Sequence, residues 1–172
     1  MSQDCLYFAY GSNMSTLRLR DRIDARVIGT AVLPEFRLNF HKKWSCGSGK
    51  CDALYTGHPD DMVWGVVYAI PQIHLGTLDR IECKDIAYTR KTVTTQLQNG
   101  DVCQPEVYVG DGRDLDPTAL PFDWYKHHVQ YGAEENNLPP EYITRMISAV
   151  PTAKDHDTKR LHRELGIYPN QG

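Results

Sequence analysis

Five apolar and aromatic residues, Leu6-Tyr7-Phe8-Ala9-Tyr10, run straight into Gly11-Ser12-Asn13. A short unbroken apolar run bounded by turn residues reads as a buried strand. Ser15 through Arg22 then reads as a short helix, with N-cap chemistry just upstream. A buried strand needs partners on both sides, so this opening commits the chain to a sheet with helices packed on it. The corner also gathers backbone N–H groups where the helix begins. Those donors and the positive end of the helix dipole suit a carboxylate or a developing oxyanion. Gly11 lets a ligand approach the backbone closely, while Ser12 and Asn13 add polar side chains. The same tripeptide is also a common structural turn.

Further strand candidates fall at 25–33, 36–41, 53–56, 63–70 and 89–97. Asn99-Gly100 is a strong hairpin signal joining the last of these to a run over 102–109. The stretch 44–52 is polar and glycine-bearing and reads as a surface loop. A helix over 71–82 carries Pro at an early position, with Leu75 and Leu78 on one face. Another over 123–131 opens on Asp123 as N-cap and closes against Gly132. A third over 141–150 aligns Ile143, Met146, Ile147 and Val150 on a stripe that faces a core. Beyond Pro151 the chain is highly charged, and 154–164 reads as the solvated face of a peripheral helix ending at Gly166. The expectation is one α+β domain over 1–172, with a core at about 6–150 and a charged tail at 151–172. Its sheet is mixed, strongly twisted or barrel-like, and flanked by helices.

At 172 residues a single domain buries roughly 70% of the surface its unfolded chain would expose. A net charge of -3 argues against a nucleic-acid coat, which needs a concentrated basic face. No apolar run approaches the ~20 residues of a membrane span. Met1-Ser2-Gln3-Asp4-Cys5 does not read as a secretory signal. Five cysteines are an odd number without the density of a disulfide scaffold, so reduced thiols in a cytoplasmic protein are the simplest reading.

One carboxylate stands out. On a helix over 71–82, Glu82 lies seven positions after Leu75 and four after Leu78, on the apolar stripe. A carboxylate aimed at the interior is either paired or holds a raised pKa, which is what proton exchange near neutrality requires. Lys84 and Asp85 follow at once, so a solvated residue at a fraying helix end is the other reading.

Taken together, these segments resemble a family. Tyr7-Phe8-Ala9-Tyr10-Gly11-Ser12-Asn13-Met14 is similar to the opening signature of the γ-glutamylcyclotransferases. Val63-Trp64-Gly65-Val66-Val67-Tyr68 resembles their central strand. Leu78-Asp79-Arg80-Ile81-Glu82, with Tyr88 six residues on, resembles the segment that carries the catalytic glutamate. Gly132-Ala133-Glu134-Glu135-Asn136-Asn137-Leu138-Pro139 resembles a later stretch of the animal enzymes. The resemblance implies a compact mixed barrel with flanking helices, a small-molecule γ-glutamyl substrate, and no metal or organic cofactor. The relatives suggest a homodimer and a place in glutathione metabolism. The implied reaction is a lyase-type acyl transfer that releases 5-oxoproline and a free amino acid. By the same resemblance Glu82 is catalytic, and Tyr10, Gly11, Ser12 and Asn13 bind the γ-glutamyl group. Tyr88, Tyr108 and Tyr125 line the pocket. The family usually has Gly after the catalytic Glu, where this sequence has Cys83. Either the backbone turns differently there, or the leaving-group side of the pocket differs.

The chemistry is economical. The substrate's own α-amine attacks the γ-carbonyl, so no enzyme nucleophile is needed, and orientation alone can supply roughly 7–11 kcal/mol. Glu82 as base and then acid adds about 10²–10⁴-fold. Other readings are open. The leaving group is either an amino acid, a γ-glutamyl amine's amine, or a larger protected product; the fold could also serve as a non-catalytic binding module. Gly49-Lys50 suggests a phosphate loop, but Cys51 replaces the required Ser/Thr. Cys46, Cys51, His41 and His58 could hold zinc, though their spacing matches no standard site. Cys83 or Cys51 with His127 or His128 would make a thiol hydrolase only if a base touches the thiol.

Overall fold

The structure is a computed structural model and describes residues 4–169. Its strands are β1 (Asp4–Ala9), β2 (Arg26–Pro34), β3 (Phe36–Lys43), β4 (Gly49–Tyr55), β5 (Met62–Pro71), β6 (Tyr88–Thr92), β7 (Thr95–Leu97), β8 (Val102–Cys103) and β9 (Glu106–Gly110). The helices are α1 (Thr16–Arg20), α2 (Leu75–Ile81), α3 (Asp123–Glu135), α4 (Pro140–Tyr142) and α5 (Thr158–Leu165). The apolar run at the start is β1, held between antiparallel β5 and parallel β9. Seven strands in the order β6-β9-β1-β5-β2-β7-β8 curl into a half-barrel. β3 and β4 form a separate hairpin that packs beside β5 and β9. The α+β expectation with a curled mixed sheet holds. Phe8, Leu33, Val63, Val66, Tyr68 and Ile70 fill the interior and are essentially inaccessible to water.

Several local expectations change. The strand expected over 89–97 splits into β6 and β7, and 102–109 splits into β8 and β9. Pro105 has no N–H for a ladder, and its carbonyl instead accepts from the Val93 N–H at 3.1 Å. α3 does not end at Gly132, and Asp123 does not cap it: Phe122 holds the N-cap position and the helix runs to Glu135. Gly132 is there for space. A Cβ on it would overlap the Ser15 nitrogen and the Met14 carbonyl carbon, so glycine lets α3 lie directly on the turn after β1. The segment after Pro139 starts as α4 and then winds as a π-helix over Ile143–Ser148.

The two polar stretches also move inward. The region at 44–52 is not simply a surface loop: Ser48, Gly49, Cys51 and Asp52 are buried. The Gly49 N–H donates to the Leu120 carbonyl at 2.9 Å, and the Phe122 N–H donates to Ser48 Oγ at 3.0 Å. The 154–164 stretch is not a freely solvated face. Arg160 donates to both oxygens of buried Asp155 at 2.6 and 2.7 Å, and Asp155 also accepts from Trp124 Nε1 at 2.8 Å. Arg18 donates to Glu164 at 2.7 Å, tying α5 to α1. Arg18 Nη1 also lies 2.8 Å from His128 Nε2. A guanidinium can only donate, so Nε2 accepts and Nδ1 carries the proton toward Tyr168 Oη at 2.6 Å. Burial pushes His128 down to about 4, so the ring is neutral. Tyr168 Oη in turn donates to Ser15 Oγ at 3.1 Å. Ser15 is the N-cap of α1, and its Oγ accepts from the Arg18 N–H.

Candidate active site

α2 ends in a reverse turn that aims Glu82. The Cys83 N–H donates to the Arg80 carbonyl at 3.2 Å, and the Lys84 N–H donates to the Asp79 carbonyl at 2.8 Å. This pair of bonds is the Schellman helix stop, which places its C′ residue in the left-handed region. Cys83 is that residue, with φ of 48°. The backbone therefore keeps the turn that glycine would favour, and cysteine adopts it at a cost of about 1–2 kcal/mol. Of the two alternatives raised by Cys83, a backbone that turns away from the left-handed region is not the one adopted.

Glu82 is the C-cap residue of α2, and its side chain crosses to the turn after β1. Asn13 Nδ2 donates to Glu82 Oε1 at 2.7 Å and to Tyr7 Oη at 3.1 Å. Asn13 Oδ1 accepts from Arg22 Nη1 at 3.2 Å, which fixes the amide's orientation. Burial raises the Glu82 pKa above its ordinary 4.5; the Arg22 charge and the Asn13 hydrogen bond oppose this without cancelling it. Of the two readings for Glu82, the interior one holds.

The turn itself is open to a ligand. The Met14 N–H donates to the Gly11 carbonyl and the Ser15 N–H to the Ser12 carbonyl. The Ser12 and Asn13 N–H groups have no acceptor among the described residues. A Cβ on Gly11 would sit 3.0 Å from Cys51 Cβ and 3.3 Å from Tyr125 Oη, so glycine is needed for β4 and α3 to close over the turn.

The expected tyrosines gather here, with different duties. Tyr10 Oη donates to the Tyr108 carbonyl at 2.6 Å. Tyr108 Oη donates to Asp79 at 2.7 Å, and Asp79 is held by Arg90 Nη1 at 2.8 Å to each oxygen. Tyr88 Oη donates to the Cys51 carbonyl at 2.8 Å. Tyr10, Tyr88 and Tyr108 therefore contribute rings rather than free hydroxyls. Tyr125 Oη accepts from the Cys51 N–H at 2.9 Å, and Tyr7 Oη accepts from Asn13. These two hydroxyls keep protons that no acceptor takes among the described residues.

Two connected chambers result. A small inner one of about 40 Å³ is walled by these tyrosines, the Gly11–Asn13 turn and Glu82. An outer one of about 290 Å³ opens from it and adds Arg22, Lys50, Trp44, Trp124 and Arg160. Ser12, Glu82, Tyr88 and Tyr125 line both and mark the junction. Sequence reading missed Tyr7, Arg22, Lys50 and the α5 contribution. Only the aromatic pair Trp124-Tyr125 gave a local signal, because the others meet through tertiary packing alone.

The competing constellations do not assemble. Lys50 and Gly49 lie in β4, not in a loop opening a helix. Burial pushes the Cys51 thiol up to about 12, and no histidine hydrogen-bonds a cysteine among the described residues. His41 Nε2 lies 2.8 Å from Asp52, and exposed His58 faces Asp60, so they form no common cluster with Cys46 and Cys51.

A half-buried carboxylate and unpaired backbone donors lining one small chamber define an acid–base enzyme for a small polar substrate. The sequence matches the family described as "Gamma-glutamyl cyclotransferase, AIG2-like" over residues 7–126. It is 34% identical over 155 residues to the γ-glutamylcyclotransferase of Bos taurus and 32% identical to that of Homo sapiens, covering 85% of this chain and 79% of each relative. A solved structure titled "Gamma-glutamyl cyclotransferase" superposes with a TM-score of 0.80 at 27% identity, covering 94% of this chain and 99% of that one. The chain belongs to the γ-glutamyl cyclotransferase, AIG2-like family.

Proposed function

We propose that the protein releases 5-oxoproline and a free amino acid from γ-glutamyl amino acids, with Glu82 as the general acid–base. One observation carries this reading: Glu82, its pKa raised by burial, is hydrogen-bonded by Asn13 in the same chamber as the unpaired N–H groups of Ser12 and Asn13. The γ-glutamyl half occupies the inner chamber and the departing amine extends into the outer one. Glu82 takes a proton from the substrate α-ammonium, and the freed amine closes a five-membered ring on the γ-carbonyl. The negative charge that develops on the carbonyl oxygen falls to the turn's N–H groups. Protonated Glu82 then gives its proton to the leaving nitrogen as the C–N bond breaks, and the regenerated carboxylate takes the second proton from the ring nitrogen and passes it to the departed amine, leaving a neutral lactam and an ammonium. Asn13 serves both states, since its Nδ2 holds the carboxylate in place and Arg22 holds Asn13. Ring closure changes no oxidation state and draws both nucleophile and electrophile from one molecule.

The test is Glu82→Gln, which keeps shape and removes the proton carrier. 5-Oxoproline release from γ-glutamyl-alanine should fall by about 10²–10⁴-fold, with an unchanged melting curve. Near-native turnover in this variant would remove Glu82 from the mechanism.

A further inference from the structure

The outer chamber presents four cations, and three have partners. Arg18 donates to Glu164 and lies against His128. Arg160 is bound to Asp155. Arg22 holds Asn13 beside Glu82. Lys50 differs: among the described residues no carboxylate, carbonyl or hydroxyl partners its ammonium. Its Nζ sits instead 3.9 Å from the centre of the Tyr125 ring and 4.2 Å from that of Trp124. Two aromatic faces fix the cation's position without neutralising it. Burial pushes the Lys50 amine down to about 7, against the weaker opposing pull of Cys46 and Glu164, the expected state of an ammonium withdrawn from water with no counter-charge in contact.

The position says what would supply that charge. Lys50 lines the outer chamber and not the inner one. With the γ-glutamyl half inside and the scissile bond at the junction near Glu82, whatever meets Lys50 belongs to the departing molecule. We propose that Lys50 is the specificity residue for the leaving half: its ammonium, seated between Trp124 and Tyr125, binds a carboxylate carried by the departing amine. This rests on the cyclotransferase reading above and deepens it. The enzyme then distinguishes γ-glutamyl amino acids from γ-glutamyl amines by one charge-assisted contact. Such contacts are shorter and roughly twice as strong as neutral ones.

Two substrates that differ only in that carboxylate test the proposal: γ-glutamyl-alanine and γ-glutamyl-ethylamine, each with wild-type protein, Lys50→Met and Lys50→Arg. For the wild type, kcat/KM should favour γ-glutamyl-alanine by about 10-fold or more. Lys50→Met should lose that factor, chiefly through KM, and treat γ-glutamyl-ethylamine within about 2-fold of wild type, the ratio falling toward unity. Lys50→Arg keeps the charge and should keep a preference for the carboxylate. An unchanged substrate ratio in Lys50→Met overturns the assignment, as does an equal loss on both substrates, which would make Lys50 a structural or proton-transfer residue. Both outcomes leave 5-oxoproline release intact in the wild type. Absence of release from either substrate by the wild type would instead sink the cyclotransferase reading together with this one.

Discussion

The inner and outer chambers share four residues and little else. Inside, almost every polar atom is already bound: Tyr10 to Tyr108, Tyr108 to Asp79, Tyr88 to Cys51, Asn13 to Tyr7, Glu82 and Arg22. What remains unpaired is a few N–H and O–H donors aimed at one small space. The outer chamber is about 290 Å³ against about 40 Å³ inside, and its walls are long side chains drawn from α1, β4, α2, β6, α3 and α5. A chamber whose hydrogen bonds are satisfied internally has one shape and suits a group that never varies. A wider one lined by Lys and Arg stems accommodates a group that does. On the proposed mechanism, this division separates the constant half of the substrate from the variable half and puts the proton carrier, Glu82, at the border.

That contrast can be broken hardest from behind the inner chamber. Gly132→Ala places a methyl group against the backbone of Met14 and Ser15, which must shift. The gain of about 1 kcal/mol in helix propensity is smaller than the overpacking, so stability should fall by about 2 kcal/mol or more. Thermal melting reads that loss, and 5-oxoproline release should decline with it because the displaced backbone is the turn to which the proposed mechanism assigns the developing charge. A variant as stable and active as wild type would show that the turn is not rigidly backed by α3.

Asn13→Ala sharpens the comparison. It frees Glu82 without touching the outer chamber, so kcat/KM should drop by about 10–100-fold for any leaving group alike. The pH profile supplies the sign. Glu82 must be ionised to accept the first proton, so activity falls as pH drops through its raised pKa. Asn13 donates to the ionised form and lowers that pKa, so removing it should move the acid limb to higher pH. An acid limb that stays put, or moves down, would separate Asn13 from the Glu82 proton.

The smallest effect concerns the helix stop. Cys83→Gly relieves the cost of a left-handed cysteine but gives the unfolded chain more freedom and removes a half-buried thiol. These oppose, and the midpoint of urea unfolding should move by less than about 0.5 kcal/mol equivalent. Cys83→Val should be clearly destabilising, since a branched Cβ fits that region poorly. Equal stability of valine and glycine at this site would contradict the turn.

Much of this was written in local sequence. The strand–turn–helix at 6–22, the face on which Glu82 lies and the Asn99-Gly100 hairpin follow from short-range periodicity and turn chemistry, which act within a few residues. The failures have one cause. Gly132 carries the sequence mark of a helix end, yet it is small because another backbone passes over it. Lys50 sits in a polar glycine-bearing stretch, yet the strand that carries it is pinned at its start by 120–122. Arg160 and Glu164 alternate like a solvated face, yet Arg160 is held by Asp155, itself bound to Trp124, and Glu164 meets Arg18 at the other end of the chain. Residues chosen for what they touch across the fold leave no periodic trace, and the outer chamber is built almost wholly from them.

The Tyr168–Ser15 hydrogen bond spans 153 positions of the chain. On a ribosome, the corner that follows β1 emerges and then waits, because neither its sheet neighbours nor the tyrosine that props its cap has yet been made. All 153 of those positions must be synthesised before this corner can settle, so a nascent chain can expose β1 long before it has any power to turn over substrate.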